Sequence, residues 1–345
     1  MESTLDMNDQ TKGIVYVATK KDRYVAEAFL SATSVKTLAP DLPITLFTNL
    51  VESAFARASC FDTVIPIETA ENFNRSWSEG QLDRIRCLPR SPYDLTLHLD
   101  SDTRVYSPAI ESVFALLEVH DIAMVECATD NSYSRQHYGQ PMFNVGFILF
   151  RKSDKVSRLL EMWEEKTTEF FKLATADEDP QIECLAHLCD PALRRKLLLM
   201  DQLSMVQLLS PQVNLCGLDL RILDESWNYR GSGSGRPPPS DLKMSHHPDL
   251  RKRHFSRDIA LAAMHYQTQG DLDLATEILK WLDQKQPGQM DVMKMLIICQ
   301  IQKHEYADVI NTLDRLLASF PGYAWAESAR QKVEALQHGT ARTRP

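Results

Sequence analysis

Asp100-Ser101-Asp102 directly follows Tyr93-Asp94-Leu95-Thr96-Leu97-His98-Leu99, where leucines at 95, 97 and 99 alternate with Thr96 and His98. That alternation predicts a β-strand, so both carboxylates are expected at its C-terminal lip. Two aspartates placed there repel one another and are partly desolvated, a strain that a cation relieves. A hard divalent ion is the natural counter-charge. Asp-x-Asp recurs at Asp177-Glu178-Asp179 and at Asp271-Leu272-Asp273. These copies fall in an acidic loop and a helix turn, where water solvates the charge; only the first copy is distinguished by its position after a strand.

The chain offers few other ways to hold phosphate. It has 345 residues but only 12 glycines, about half the usual ~7% share. Neither G-x-G-x-x-G nor G-x-x-x-x-G-K-[ST] occurs, which argues against a Rossmann dinucleotide site or a P-loop. The hydrophobic content of 43%, charged content of 25% and net charge of −9 describe an ordinary globular chain long enough for two domains. With 38 basic against 47 acidic residues, nucleic acid is not an expected partner. The basic runs Arg194-Arg195-Lys196 and Arg251-Lys252-Arg253 with Arg257 read as solvated helix ends or loops. Cysteines at 60, 87, 127, 184, 189, 216 and 299 show no C-x-x-C spacing, so zinc and a disulfide framework are both poor readings and a reducing compartment fits best. Met1 to Lys12 is polar, and no stretch approaches the ~18 apolar residues of a membrane span. A cytoplasmic protein, at most peripheral to a membrane, is expected.

Positioning the aspartates requires a sheet. Gly13–Ala18, Pro43–Thr48, Thr63–Ile67, Leu95–Leu99, Val119–Cys127 and Val145–Phe150 read as strands. Tyr24–Leu38 and Lys155–Phe171 carry helical periodicity. Alternating strands and helices predict an α/β fold with a mainly parallel sheet, whose ligands bind at the strands' carboxyl ends. After about residue 250 only helix signals remain. Ala275, Leu279, Leu282, Pro287 and Gly288 fall 34 residues before Val309, Leu313, Leu316, Pro321 and Gly322. That is the tetratricopeptide period, and Tyr266 with Gly270 suits its consensus, whereas the second copy has Gln300 and His304 there. Two copies and a terminal helix, Ala324–Leu336, predict a compact tetratricopeptide-like cap or docking module over 255–338, a surface for a protein partner; two hairpins alike by chance are the alternative.

Five ordered motifs carry a family resemblance over residues 13–250. Tyr93 to Val105, with its Asp-Ser-Asp, resembles the signature of GT-A-fold glycosyltransferases, the nucleotide-diphospho-sugar transferases near glycosyltransferase family 8. Phe143-Asn144-Val145-Gly146, Asp201-Gln202, Trp227-Asn228-Tyr229 and Leu242-Lys243-Met244-Ser245-His246 resemble, in order, that family's later elements.

The resemblance implies a GT-A domain, Rossmann-like with a mostly parallel sheet, that moves a sugar of hexose type from a nucleotide-diphosphate donor, a UDP-sugar, to an unidentified acceptor. Asp102 would ligate Mn²⁺ or Mg²⁺, Asp100 would bind the metal or the ribose, and His246, or His247 one residue on, would complete the ligands; mixed carboxylate and imidazole favours Mn²⁺. Arg84 or Arg86, with Arg86 preferred and the choice open, would meet the sugar-phosphate. Ala18, Thr19 and Lys20 with Tyr24 would hold base and ribose, Tyr24 serving equally well as helix packing. Asn144 and Gly146 would line the sugar pocket. Asp201 would touch the sugar or the acceptor hydroxyl, acting as general base if the reaction inverts; Glu126 and Asp130 are rival carboxylates. Trp227 is core or a sugar-stacking face. The glycine- and proline-rich stretch 231–240 is a lid or a plain connector. The other functions considered are a sugar nucleotidyltransferase, against which the glycine-free Ala18–Arg23 counts, and a non-catalytic interaction protein using the helical repeats.

Overall fold

The structure is a computed structural model that describes residues 10–69, 76–127, 131–180, 182, 185, 188–211, 213–214, 216–230, 237–246 and 250–337. The chain divides into two compact units, Met1–Asp249 and Leu250–Pro345.

In the first unit β1 (Lys12–Val17), α1 (Asp22–Leu38), β2 (Ile44–Thr48) and β3 (Thr63–Pro66) precede α2 (Ser76–Cys87) and β4 (Leu95–Leu99). The short β5 (Thr103–Val105) and α3 (Ala109–Ser112) lead to β6 (Ile122–Glu126), α4 (Asn131–Tyr138), β7 (Phe143–Arg151) and α5 (Asp154–Thr175). Then come α6 (Pro191–Leu198), α7 (Asp201–Leu208), β8 (Leu220–Leu223) and β9 (Met244–His246). Seven strands form one sheet in the order β3-β2-β1-β4-β7-β6-β8, and β5 pairs with β9 as a separate ribbon. All neighbours run parallel except at β7, which is antiparallel to both β4 and β6. This mostly parallel sheet flanked by helices, followed by an all-α region, fits the expected GT-A architecture.

The interior strands β2 and β4 are buried along their whole length, as apolar and β-branched strands covered by helices should be. Ser153 caps α5 by accepting from Val156 N at 3.3 Å. That helix buries Leu159, Leu160, Trp163, Phe170 and Phe171 in the core under the sheet. Sequence patterning locates the main strands and α5 but misses β5 and β8, which have three and four residues.

The described residues of the second unit form five helices: α8 (Leu250–Thr268), α9 (Leu272–Lys285), α10 (Met290–Gln302), α11 (Tyr306–Ser319) and α12 (Ala324–Gln337). Its turns repeat at the spacing read from the sequence. Gly270 and His304 both adopt positive φ, +86° and +59°, as do Gly288 and Gly322 at +81° and +76°. Val309, Leu313 and Leu316 join Met293, Ile297, Ala326 and Val333 in its core.

The other two Asp-x-Asp copies hold structure together. Asp271 caps α9 by accepting from Leu274 N, and Asp273 pairs with Lys303 at 2.7 Å. Asp179 pairs with Arg194, which is buried, so this member of the basic run departs from the solvated helix end expected of it, whereas Lys196 in the last turn of the helix is exposed. Beside it Arg195 donates to the carbonyls of Ala174, Asp177 and Glu178, closing the C-terminal end of α5. The side chains of Arg251, Lys252 and Arg253 lie outside the described residues. Cys60, Cys87, Cys127, Cys189, Cys216 and Cys299 are free thiols. Among the described residues no helix is long and apolar enough to cross a membrane.

Gly13 marks a contact that admits no side chain. A Cβ there would lie 2.4 to 2.6 Å from three ring atoms of Tyr93, and Tyr93 is held in place by a 2.8 Å hydrogen bond to Thr45 Oγ1. Gly13→Ala should therefore destabilise the first unit by about 1–3 kcal/mol through overpacking. Urea unfolding checks this; an unchanged midpoint would show that the ring has room to move.

Candidate metal centre

The chain reverses directly after β4. Asp100 N donates to Gly146 O at 3.0 Å, and Thr103 donates twice to Asp100 O, from N at 3.3 Å and from Oγ1 at 2.9 Å. This turn starts β5, whose antiparallel pairing with β9 sets Thr103 opposite His246. His246 N also donates to Tyr229 O at 2.8 Å, fixing the ribbon from its other side. A histidine 144 positions along the sequence from Asp102 thus arrives beside the two aspartates. His246 Nε2 lies 3.1 Å from Asp102 Oδ1 and 3.6 Å from Asp100 Oδ2.

These three residues fit a divalent ion. One ligand atom from each lies within 4.8 Å of the others, and two metal–ligand bonds of about 2.0–2.6 Å span a comparable distance. Burial drives the His246 imidazole down to about 4, reinforced by Arg230 and Arg84 and opposed by Asp100. It is therefore neutral near pH 7, the form that ligates metal, and among the described residues its buried Nδ1 has no hydrogen-bond partner. Gly146 leaves the room. A Cβ there would stand 2.7 Å from both Asp100 Oδ2 and His246 Cε1. The backbone makes this approach at an irregularity in β7. On the β4 side Phe147 and Ile148 pair in step with Leu99 and His98, while on the β6 side the register jumps from Met124–Ile148 to Val125–Asn144. Bulges of this kind re-aim a strand beside a site, and Asn144 Oδ1 braces this one by accepting from Gly146 N at 3.1 Å.

Arg84 ties the centre to two helices. Its Nη1 donates to Asp100 Oδ1 at 2.6 Å and its Nη2 to Asp201 Oδ2, and the guanidinium carbon lies 5.9 Å from the Trp163 ring. Burial raises the Asp100 pKa, but Arg84, with His98 and His246, outweighs it and holds the group well below the usual carboxylate range. For Asp201 burial prevails over Arg84, and its pKa is raised. Asp201 opens α7, its N–H donating to Gln81 Oε1 at 3.0 Å and its carbonyl accepting from Trp163 Nε1 at 2.9 Å.

The cluster thus unites Asp100, Asp102, His246, Gly146, Arg84 and Asp201, with Asn144 behind the glycine. Arg86, the preferred arginine on sequence, is not in it. Its Nε bonds Glu164 at 2.7 Å with the side chain 45% exposed, because two residues of helix turn it about 200° from Arg84. At the exit of β1, Ala18 is buried and Thr19 Oγ1 donates to Asp83 Oδ2 at 2.7 Å, one residue before Arg84. Tyr24 is half-buried with Lys21 5.7 Å above its ring, and Lys20 pairs with Glu79. Glu126 pairs with Arg135 at 2.9 Å. Trp227 contacts Phe147 at 5.9 Å between ring centroids. His247, Asp130 and 231–236 lie outside the described residues.

Sequence reasoning missed His98, Gln81 and Trp163. His98 had a legible signal: two positions before Asp100 on a strand, it shares that residue's face. Its Nδ1–H donates to Val15 O at 3.2 Å, and Nε2 stands 3.5 Å from Asp100 Oδ1.

No protein-family model matches the chain, and no curated protein matches it. Solved structures similar to it include the galactosyltransferase LgtC in complex with donor and acceptor sugar analogs, at 16% identity and a TM-score of 0.41, covering 68% of this chain and 87% of that one. An active-site mutant of LgtC matches equally. The bifunctional glycosyltransferase WbbM, in its apo form, matches at 16% identity and a TM-score of 0.42, over 74% of this chain and 50% of that one.

Gly146→Ala should weaken Mn²⁺ binding at least tenfold, since the added methyl occupies the space between Asp100 and His246. Titration followed by the electron paramagnetic resonance of free Mn²⁺ measures it. Wild-type affinity in the variant would show that the two side chains do not act on one ion.

Proposed function

We propose that the first unit is a metal-dependent glycosyltransferase that transfers a sugar from a nucleotide-diphosphate donor, a UDP-sugar, to an acceptor hydroxyl. The observation that carries this reading is the meeting of Asp100, Asp102 and His246 with a buried arginine at the carboxyl ends of a mostly parallel sheet, where such sheets bind ligands. The order of the five sequence motifs supports it independently. Asp100, Asp102 and His246 are the proposed ligands of Mn²⁺ or Mg²⁺. When bound, the ion supplies Lewis-acid neutralisation of the diphosphate that departs with the nucleoside.

The chain's own groups do the rest. Arg84 presents a fixed, permanently charged guanidinium whose position is set by Asp100 and Asp201 before any substrate arrives, and such preorganised charge stabilises a developing anion without reorganisation. Asp201 acts on the sugar side together with Arg84. Asn144 holds the β7 bulge through its oxygen and offers its amide nitrogen to sugar hydroxyls. Gly146 lets the sugar and ion approach the backbone. The nucleoside is proposed to lie at the β1 exit, at Ala18, Thr19 and Tyr24, where Thr19 bonds the residue preceding Arg84.

UDP-sugar turnover with Mn²⁺ tests the reading. Wild type should transfer or hydrolyse at least one UDP-sugar, Asp102→Asn should lose about 100-fold or more while remaining folded, and Arg84→Ala should lose a similar factor. Arg86→Ala, which removes only an exposed pair, should stay within about twofold. A wild-type protein that neither binds nor turns over any nucleotide sugar ends this proposal.

A further inference from the structure

Behind the metal centre, three hydroxyls from three elements meet out of contact with water. Tyr16 of β1, Ser31 of α1 and Thr103 of β5 are each 0% exposed. Tyr16 OH lies 2.8 Å from Ser31 Oγ, and Ser31 Oγ lies 2.6 Å from Thr103 Oγ1. The direction of the chain follows from counting protons. Thr103 gives its one hydroxyl proton to Asp100 O at 2.9 Å, an atom that only accepts. Towards Ser31 it can then only accept. Ser31 in turn gives its proton to Thr103 and accepts from Tyr16. Burial pushes the Tyr16 phenol pKa up, so the donor at the head of the chain keeps its proton.

We propose that Tyr16, Ser31 and Thr103 form a directed hydrogen-bond relay that positions the Asp100-Ser101-Asp102 turn for the divalent cation; this rests on the metal site proposed above. The relay ends on the carbonyl of Asp100, the atom around which the chain turns, so its last bond, beside that from Thr103 N, braces the turn that carries the two carboxylates. Each hydroxyl in such a chain polarises the next. A second link from the same helix holds the strand that follows: Val105 N donates to Ser34 Oγ at 3.0 Å, and Ser34 Oγ donates to Ser31 O at 2.6 Å. Helix α1 thereby grips β5 at both ends of the ribbon segment that faces His246. The three relay residues are positioning residues and touch neither substrate nor ion.

Mn²⁺ dissociation constants of the full chain, read from free-ion paramagnetic resonance, test the relay. Thr103→Val keeps the shape and removes the hydroxyl. It should weaken binding 10- to 100-fold, while Thr103→Ser should stay within about threefold of wild type. Ser31→Ala should fall between Thr103→Val and wild type, and Tyr16→Phe nearest wild type, since each lies one bond further from Asp100. Wild-type affinity in Thr103→Val, failure of Thr103→Ser to restore it, or a reversed order overturns the proposal. Amide exchange of the metal-free protein separates positioning from general stability. Thr103→Val should speed exchange over 100–105 and 244–246 and leave 12–17 and 44–48 unchanged; uniform acceleration, or none, overturns the relay. If wild type binds no Mn²⁺, the metal reading fails and the relay is judged on exchange alone.

Discussion

One buried guanidinium shared by two carboxylates is the interaction on which the site depends. Asp100 leaves β4 and Asp201 opens α7, and neither could remain charged with so little water unless a cation stood between them. Arg84 supplies it from α2, with one nitrogen for each oxygen. A lysine ammonium, a compact point charge, could not reproduce this planar fork. Trp163 closes the guanidinium's face and also fixes the backbone of Asp201, so one aromatic side chain from α5 holds both ends of the pair. Asp102 stands outside this arrangement, against an imidazole that burial keeps neutral. Two carboxyl groups thus share one guanidinium while the third has a neutral imidazole beside it, an arrangement that a divalent ion complements.

The topology explains why the ligands meet. A purely parallel sheet would place its strand ends side by side with crossovers between them, and a histidine near residue 246 would have no reason to return to β4. Two local departures bring it there. The β5–β9 ribbon folds the end of the unit back over the Asp-Ser-Asp turn, and β7 runs against its neighbours so that Gly146 O meets Asp100 N. The ribbon has only three residue pairs, too few to define a position alone. Its bonds to Tyr229 on one side and to Ser34 of α1 on the other supply the rest.

Much of this was legible before the fold was known, and what was not has physical causes. The apolar alternation of Leu95, Leu97 and Leu99 reports a strand whatever surrounds it, and the carboxylates that follow must then sit at its lip. The arginine is different. Arg84 and Arg86 share one helix and one charge, and only the helix's rotation about its axis separates them. That rotation is set by Leu82 and Ile85 packing into the core, in a stretch too polar for its buried face to stand out. The β7 bulge is equally silent, because a register shift leaves no mark in the order of residues. His98 was readable: an imidazole amid leucines on a buried strand, two positions before a carboxylate, needs a polar partner on that face.

Glycine scarcity gives the site its character. A backbone cradle of glycines holds phosphate through N–H groups whose positions the main chain fixes. Here the proposed contacts pass through carboxylates, an imidazole and a guanidinium, each with rotatable bonds. Such groups hold a ligand well only when other groups hold them. The sequence meets this requirement at several points: Gln81 and Trp163 fix Asp201, Val15 O orients His98, Tyr229 holds the backbone of His246, and three buried hydroxyls stand behind the Asp100 turn. The one glycine at the centre, Gly146, contributes by the absence of a side chain, leaving a space shaped by Asp100 and His246. A site built in this way depends less on any single loop than on the layer of polar contacts behind it, and that layer ties the site to β1, α1, α2 and α5 of the same unit.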